Sequence, residues 1–398
     1  MIKKKIKLNI KALTGAEAVA EAMKQINPGV VSIYPITPQT PIIEKFSQFA
    51  AKKLVDSEIV LTESEHSAMS VVVGAQASGV RAMTATSSQG LALMWEILGI
   101  ASGLRLPIVM PVVNRALSSP LNIHCDHSDS MGCRDFGWIQ IFSENNQEVY
   151  ENILLITKIA EHVKLPAMVM QDGFITSHCV EAVKILPDKI VQKFLGKYNS
   201  AYSLLNIKNP ISLGSLVSQP HFFKIKIQQI QAMEQVKKIY LKIGKEFSKI
   251  TKRKYEYFEK YKLNDAEVGI VVMSSTAGTV KSVVDKMRKK GFKVGLLKPI
   301  LFRPFPYQEI AKALSHLKVI AVLDRSVSPG AHPPLYSEIV NCQLSNVKCQ
   351  SYVFGLGGQD IFEKDIEKIF KDLLKFQISN IKLQILKKIN EKEIKYIK

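Results

Sequence analysis

Runs of hydrophobic residues alternate with amphipathic stretches along the first half of the chain. Short apolar runs such as VVSIYPI, EIVLTE and LPIVMPVV are bounded by turn residues, as buried strands are. Between them, apolar residues recur every three or four positions, which is the spacing of a helix with one face on a core. Strands that alternate with helices predict a parallel sheet in an α/β domain. The pattern extends over roughly residues 1 to 215.

Two of the predicted helices carry specific signals. Thr14 can cap the helix over residues 12–26, with Glu17 three positions later in the spacing of a capping box. The segment SEHSAMSVVVGAQASG, residues 64–79, is rich in alanine and apolar on nearly every side. We therefore expect this second helix to be buried all round.

A second α/β block follows a change in composition. Residues 224–262 are rich in Lys, Gln, Ile and aromatics, and apolar residues recur there at spacings of three and four. This spacing predicts one long basic connector helix with a single apolar seam, formed by Met233, Val236, Tyr240, Ile243, Phe247 and Ile250. The predicted organisation is therefore a first domain over 1–223, the connector over 224–262, a second domain over 263–380 and a Lys/Ile-rich tail over 381–398.

The chain is strongly basic, with 54 Lys and Arg residues against 35 Asp and Glu residues and a net charge of +19. Such a charge raises the question of nucleic-acid binding. No zinc-finger, RNA-recognition or basic-zipper pattern accompanies it, so we expect no nucleic-acid partner and place the lysines on solvated helix faces. A basic face that docks an acidic redox protein is an alternative.

The cysteines and the apolar stretches indicate a compartment. Five cysteines form no C-x-x-C pair and match neither zinc nor iron–sulfur spacings. An odd number of cysteines without a disulfide framework is typical of a reducing environment. The first residues contain no apolar signal-peptide core, and Glu96 interrupts the longest weakly polar stretch, residues 87–104. The sequence therefore predicts a cytoplasmic protein without a membrane span.

Four segments with polar side chains follow predicted strands, namely YPIT, TESEH, TATSSQG and VVNRALS. Ligands bind at the carboxyl edge of an open α/β sheet, so we expect these segments to converge. In the first segment, flanking prolines stiffen the backbone around Thr37. In the last, Arg115 follows an apolar strand, and its guanidinium suits a carboxylate or a phosphate. An internal salt bridge is the alternative for Arg115.

Candidate acids and metal ligands are harder to assign from spacing. TESEH offers Glu63 and Glu65, and a carboxylate there can serve chemistry or simply favour a helix N-terminus. The loop HCDHSDSMGCRDFGWIQ, residues 124–140, is rich in His and Asp, but its spacing matches no usual zinc site. We predict no metal on this chain and expect the loop to shape the site mouth or a subunit contact. Dinucleotide, P-loop and nucleophile-elbow motifs are absent from the sequence.

Several segments occur together in one order: YPITP, ESEHSA, TATSSQGL, RLPIVM with NRAL, DHSDSM and QDGF-x-TSH, then RPFP and VLDRSVSPG. In this combination the chain resembles the α subunit of pyruvate:ferredoxin (flavodoxin) oxidoreductases, in the 2-oxoacid:ferredoxin oxidoreductase family. The resemblance implies an α/β fold, in which a thiamine diphosphate-binding domain of the pyrimidine type precedes a domain like the transketolase C-terminal domain.

The implied activity is oxidative decarboxylation of pyruvate to acetyl-CoA and CO2, with electrons passed to ferredoxin or flavodoxin. A branched-chain 2-oxoacid such as 2-oxoisovalerate is an alternative substrate, and a non-catalytic scaffold is an alternative role. Glu65 matches the family glutamate that contacts the aminopyrimidine of thiamine diphosphate, with Glu63 as second choice. Thr37 and Arg115 match the family residues that bind the substrate.

The resemblance also implies partners. No G-D-G motif, which usually anchors the diphosphate and Mg2+, occurs in the sequence. We therefore expect a β subunit to contribute the diphosphate half of the cofactor site and an iron–sulfur cluster. Further γ and δ subunits would carry ferredoxin-like clusters. The chain alone is then expected to be colourless and inactive.

Overall fold

The computed structural model describes residues 9–200, 202–382 and 393–397. Its strands, in chain order, are β1 (Asn9–Thr14), β2 (Val30–Ser32), β3 (Glu58–Val60), β4 (Ala82–Met83), β5 (Val109–Asn114), β6 (Ile139–Phe142), β7 (Ala167–Asp172), β8 (Val180–Ile185), β9 (Phe258–Tyr261), β10 (Val268–Val271), β11 (Val294–Pro299), β12 (Leu301–Arg303), β13 (Val319–Asp324), β14 (Lys348–Val353) and β15 (Lys395–Tyr396).

Helices lie between most of these strands: α1 (Gly15–Ile26), α2 (Thr40–Ala51), α3 (Glu65–Ala77), α4 (Ser88–Leu93), α5 (Trp95–Gly103), α6 (Ser128–Gly132), α7 (Asn146–Val163), α8 (Asp188–Leu195), α9 (Gln219–Thr251), α10 (Thr276–Lys289), α11 (Tyr307–Leu314), α12 (Pro334–Val340) and α13 (Glu363–Lys382). In the part of the chain that the structure describes, no helix combines the length and the apolar character that a bilayer crossing needs.

The first sheet has the strand order β12-β6-β7-β5-β4-β2-β3. All of its strands except β12 run parallel, as the alternation of strands and helices predicts. Strands β5 and β7 are buried along their whole length, which is usual for a parallel sheet covered on both faces. Strand β12 comes from the second half of the chain and pairs antiparallel with β6, Leu301 opposite Ile141. The second block therefore completes one edge of the first sheet.

The amino-terminal helix begins later than the sequence pattern predicts. Residues 9–14 form β1, which pairs antiparallel with β8, so α1 begins at Gly15 and not at residue 12. The capping box itself is confirmed. The Thr14 hydroxyl accepts from the Glu17 N–H at 3.1 Å, and Glu17 Oε2 accepts from the Thr14 N–H at 3.1 Å.

The second sheet has the order β15-β14-β13-β10-β11-β9. Its central strands are parallel, and β9 closes one edge antiparallel to β11. At the other edge β15 pairs with the end of β14, Lys395 opposite Tyr352. Most of the predicted tail, residues 383–392, lies outside the described residues.

The long basic helix predicted over residues 224–262 is α9, Gln219–Thr251. Its seam packs on the core of the first domain, with Met233 and Ile250 partly buried and the remaining members fully buried. The helix ends at Lys252, whose backbone is left-handed with φ 64°. Beyond it Tyr255 and Tyr257 are both buried, and this period of two belongs to extended chain that leads into β9.

The carboxyl edges of the two sheets face each other. Asp172, the last residue of β7, accepts hydrogen bonds from the N–H of Ser275 after β10 and from Nη1 of Arg325 after β13, both at 3.2 Å. The buried Lys298 of β11 makes a second contact between the two domains. Its Nζ lies 2.5 Å from Glu144 and 2.6 Å from Glu148, both in the first domain. The residues that follow strands in both sheets are thereby gathered at one interface.

Candidate active site

The predicted site residues lie at the carboxyl edge of the first sheet. Thr37 follows β2, Glu65 begins α3 just after β3, the segment 86–90 follows β4 and Arg115 follows β5. The structure joins them in two groups. Arg115 contacts Thr37, and Glu65 and Thr86 both lie against Gly90.

Arg115 is fixed by main-chain acceptors. Its Nη1 donates to the carbonyl oxygen of Thr37 at 2.9 Å, and its Nε donates to the carbonyl oxygen of Asn122 at 2.9 Å. The residue is buried, and burial lowers the pKa of its guanidinium. Both of these acceptors are neutral carbonyl groups. The side chain is therefore held by main-chain hydrogen bonds and not by the internal salt bridge that the sequence allows.

The backbone around Thr37 packs on the end of β7. A Cβ at Gly173 would lie 3.0 Å from Pro38 Cγ and 2.4 Å from the carbonyl oxygen of Asn114. Only glycine fits between these two segments. Pro38 is buried, whereas Thr37 itself is exposed. The close packing holds the segment in place and leaves the Thr37 side chain accessible.

Glu65 and Glu63 lie in different environments. Glu65 is 7% exposed in the first turn of α3, which Ser64 caps through the N–H of Ser67. Burial raises the pKa of Glu65 above its usual value. Glu63 is exposed, and a hydrogen bond from the Ser67 hydroxyl lowers its pKa. Glu65 is therefore the carboxyl group suited to hold a proton inside a site.

Gly90 packs closely against the side chains of Glu65 and Thr86. A Cβ there would lie 2.6 Å from Glu65 Oε1 and 2.4 Å from Thr86 Oγ1. Thr86 is fully buried, and its Oγ1 has no hydrogen-bond partner among the described residues. A buried carboxyl group and an unpaired hydroxyl can both form hydrogen bonds with the polar edge of a ring such as an aminopyrimidine.

The acidic and histidine side chains of the loop over residues 124–140 contact different partners. His127 Nε2 contacts Asp172 Oδ1 at 2.8 Å, while Asp126 accepts from Ser128 on its own loop. Asp129 is buried, and its carboxylate accepts hydrogen bonds from N–H groups of the protein, among them the Asn114 side-chain amide at 2.7 Å. These His and Asp side chains therefore each form hydrogen bonds with a different part of the protein.

Asp172 is the centre of the contact between the two domains. Burial alone would raise its pKa, but His127 and the Arg325 guanidinium hold the pKa of this carboxyl well below its usual range. Cys125 lies close enough to complete a group of possible metal ligands with His127 and Asp172. The Arg325 charge already compensates the carboxylate there, as Lys298 does within the Glu144, Glu148 and Glu259 group.

Several residues that shape the site were not singled out from the sequence. In the sequence Asp129 is one of several acidic residues of the 124–140 loop, and Thr86 and Gly90 are members of the TATSSQG segment. Asp172 and Arg325 lie inside the QDGF and VLDRSVSPG segments, which pointed to the family but carried no role of their own. A buried Asp directly after an apolar strand was the available signal, since a charge there needs partners.

The fold and the site together define an α/β protein with a ligand site at the carboxyl ends of parallel strands, built around a buried carboxyl group. The sequence model described as "Pyruvate flavodoxin/ferredoxin oxidoreductase, thiamine diP-bdg" matches residues 21–245. That described as "Pyruvate:ferredoxin oxidoreductase core domain II" matches residues 266–366. The chain belongs to the pyruvate:ferredoxin/flavodoxin oxidoreductase family, and its first domain is the thiamine diphosphate-binding domain of that family.

Relatives from several organisms are similar over nearly the whole chain. The pyruvate synthase subunit PorA of Thermotoga maritima is 54% identical over 369 residues, which are 91% of this chain and 94% of that protein. PorA of Methanocaldococcus jannaschii is 45% identical over 92% of this chain and 95% of its own length. The ketoisovalerate oxidoreductase subunit VorA of Pyrococcus abyssi is 42% identical over 92% of this chain and 93% of its own.

Two solved structures share the fold. One is 2-oxoglutarate:ferredoxin oxidoreductase from Magnetococcus marinus with 2-oxoglutarate, coenzyme A and succinyl-CoA bound, at a TM-score of 0.75 and 20% identity. The match covers 91% of this chain and 65% of that one, so this chain spans just under two thirds of its length. The other is an inactive β4 tetramer of a split-gene transketolase, with a TM-score of 0.53, 8% identity, and coverage of 91% and 99%. The predicted fold class is confirmed.

Proposed function

We propose that this chain, as the α subunit of a multi-subunit 2-oxoacid:ferredoxin oxidoreductase, acts in the oxidative decarboxylation of pyruvate to acetyl-CoA and CO2. One observation carries the proposal. The buried Glu65 beside Gly90 and the Arg115–Thr37 pair lie on neighbouring strand ends of one sheet. The first group suits the cofactor ring and the second suits a 2-oxoacid.

Glu65 is the proposed catalytic residue. Its raised pKa favours a protonated carboxyl, which can donate a hydrogen bond to the ring nitrogen of an aminopyrimidine. Thr86 Oγ1 offers a further polar contact, and Gly90 allows the Glu65 and Thr86 side chains to pack against the backbone of α4. When bound, thiamine diphosphate supplies the carbanion chemistry, while this chain orients the ring and holds the proton at Glu65.

Arg115 and Thr37 are proposed to bind the substrate. The two main-chain carbonyls that accept from Nη1 and Nε fix the plane of the guanidinium. Within the described residues Nη2 has no acceptor, so it can pair with the substrate carboxylate. The exposed Thr37 hydroxyl can donate to the 2-oxo oxygen. Both groups are already held in place before the substrate binds. Binding therefore costs little conformational entropy of the protein.

A partner chain is proposed to cover the surface next to Glu65. The sequence predicts that α3 is buried all round, but Ser70 and Gly74 are exposed, and a Cβ at Gly74 would have no atom within 4 Å. Nearby, α4 and α5 expose large apolar side chains, including Trp95 and Ile100. An apolar face of this kind beside an incomplete site marks a protein interface.

We assign this face to a β subunit that contributes the diphosphate half of the site, Mg2+ and an iron–sulfur cluster. The same proposal includes γ and δ subunits with further clusters, CoA as the second substrate, ferredoxin or flavodoxin as acceptor and a cytoplasmic location. It includes no nucleic-acid partner. The purified α chain alone should therefore show no iron–sulfur absorbance and no retention on DNA at physiological salt.

A branched-chain 2-oxoacid is the second candidate substrate. Ketoisovalerate oxidoreductase subunits are among the relatives, and they are nearly as similar to this chain as several pyruvate synthase subunits are. The choice depends on the space around Arg115 in the complete assembly, where a larger substrate side chain gains or loses apolar contacts.

The test is to co-express the chain with its partner subunits and to measure CoA-dependent viologen reduction with pyruvate, 2-oxoisovalerate and 2-oxoglutarate. We expect kcat/KM to be at least about tenfold higher for pyruvate, which corresponds to ~1.4 kcal/mol of selectivity. A preference for 2-oxoisovalerate would favour the second candidate. No CoA-dependent activity with any of the three would overturn the proposal.

A further inference from the structure

Asp129 joins the two halves of the site through a single carboxylate. Its Oδ1 accepts from the Asn114 side chain and from the Ser130 N–H, both at 2.7 Å. Its Oδ2 accepts from the backbone N–H groups of Ser88 and Arg115, both at 3.0 Å. Each oxygen therefore has two N–H donors, and the side chain is almost completely buried.

The two donors on Oδ2 belong to different turns. Ser88 lies in the turn after β4, two residues before the Gly90 against which Glu65 lies. Arg115 lies in the turn after β5 and holds Thr37. One oxygen atom thus links the group that faces the cofactor ring to the group that faces the substrate.

The turn after β4 needs such a link. Ser88 has a left-handed backbone with φ 45°, a conformation that costs a non-glycine residue free energy. Its N–H is held by Asp129, and its hydroxyl donates to the carbonyl oxygen of Ala116 at 2.6 Å. The same two turns are therefore joined at two points, and the position of Gly90 relative to Arg115 follows from them.

We propose that Asp129 is a positioning residue that sets the cofactor-facing group of the site in register with its substrate-binding group. The inference rests on the proposed function. Asp129 touches neither ligand and acts through Ser88 and Arg115. A carboxylate is required, because an asparagine has one acceptor oxygen, and its NH2 group would face two N–H donors in either orientation.

The experiment compares Asp129→Asn with Asp126→Asn in the assembled complex. Asp126 is a matched control because it is a buried aspartate on the same loop, but its carboxylate accepts hydrogen bonds from Ser128 and Gly357 and not from Ser88 or Arg115. Three quantities are measured: the Kd for thiamine diphosphate by fluorescence titration without turnover, the KM for the preferred 2-oxoacid, and the Tm of the complex.

We expect Asp129→Asn to raise both the Kd and the KM by about tenfold, since mispositioning affects both ligands at once. Asp126→Asn should leave both within about twofold at a similar Tm. Unchanged Kd and KM in correctly assembled Asp129→Asn would overturn the proposal. A loss of ligand binding that is explained entirely by the fraction of unfolded complex would overturn it as well. A wild-type complex without 2-oxoacid activity would instead overturn the proposed function.

A second variant covers failure of Asp129→Asn to assemble. Ser88→Ala removes the hydroxyl bond to Ala116 but leaves the carboxylate in place. It should raise both constants by about threefold, because one of the two connections between the turns remains. Unchanged constants in Ser88→Ala would then overturn the proposal.

Discussion

Arg115 holds the main-chain carbonyl of Thr37 and not its hydroxyl group. Nη1 donates to the Thr37 oxygen at 2.9 Å across 78 positions of sequence. The exposed hydroxyl is left free for another acceptor, while the backbone that carries it is fixed. The sequence pattern indicates a firmly held threonine, and this contact explains which group is held and which is available.

Replacing Thr37 by Val should remove the hydroxyl and keep the backbone contact with Arg115. We expect kcat/KM for the 2-oxoacid to fall about 10- to 100-fold, the effect of losing ~1.4–2.7 kcal/mol of hydrogen bonding in a desolvated site. Steady-state kinetics on the assembled complex measures the change, and subunit content is the control. An unchanged kcat/KM would exclude the hydroxyl as a substrate contact.

Glu65→Gln and Glu63→Gln form a matched pair two residues apart. Glu65→Gln removes the buried proton donor, and we expect turnover to fall by at least about 100-fold while the complex still assembles. Glu63→Gln changes an exposed carboxylate bound to Ser67 and should stay within about twofold of the wild type.

The measurement is the turnover number per assembled complex for each of the two variants. Activity of Glu65→Gln equal to the wild type would support the non-catalytic scaffold alternative. A large loss in Glu63→Gln alone would transfer the role to Glu63.

Gly90→Ala should weaken thiamine diphosphate binding. The added Cβ would lie 2.6 Å from Glu65 Oε1 and 2.4 Å from Thr86 Oγ1, so it would displace the two side chains proposed to contact the cofactor ring. We expect the Kd to rise by at least about tenfold, as overpacking costs ~1–3 kcal/mol. Gly103→Ala is the control, because a Cβ there meets no atom within 4 Å. Equal Kd values for the two variants would contradict the assigned cofactor position.

Lys298→Met should destabilise the contact between the domains. The buried ammonium group lies within 2.9 Å of Glu144, Glu148 and Glu259, which raise its pKa against the effect of burial. Removing it leaves Lys281 paired with Glu144 and Glu259 but deprives the three carboxylates of their buried cation, at a cost of about 3–5 kcal/mol. Denaturant unfolding of the chain measures the loss.

The control for that experiment is Lys290→Met. Lys290 is largely exposed, and its pair with Glu367 spans 3.6 Å, so its loss should cost less than about 1 kcal/mol. Equal destabilisation by the two substitutions would mean that the buried cluster contributes no more than a surface pair.

Glu151→Gln should change how stability depends on pH. Burial raises the pKa of Glu151 to about 7 in the folded chain, above the value near 4.5 that an unfolded carboxyl has. The folded state then binds more protons between these pH values, so the wild type loses stability as pH rises from about 4.5 to 7. Glutamine has no proton to lose.

The free energy of unfolding of the variant relative to the wild type should therefore increase by about 1–3 kcal/mol between pH 5 and pH 8. Urea unfolding at both pH values gives this difference. The attraction of Arg253 for the ionised carboxylate is already included in the pKa of Glu151, and any effect of glutamine on packing cancels in the comparison. A difference that does not change with pH would contradict the raised pKa.

Much of the fold follows from local sequence. The capping box at Thr14 and Glu17, the seam of α9 and the alternation of strands with helices depend on neighbours within a few positions. Element ends were less predictable. Residues 9–14 became β1 only because β8, far along the chain, offers them a strand to pair with. The antiparallel return of β12 to the first sheet likewise has no local signal.

The sequence by itself determined which chemical groups stand at the strand ends, because strand and helix periods are set by adjacent residues and place Thr37, Glu65 and Arg115 at one edge. Only the tertiary structure decided what these groups contact. Arg115 reaches the Thr37 carbonyl, and Asp129 reaches both Ser88 and Arg115, through packing between segments far apart in the chain. Such contacts depend on how whole elements fill space, and no spacing along the sequence encodes their distances.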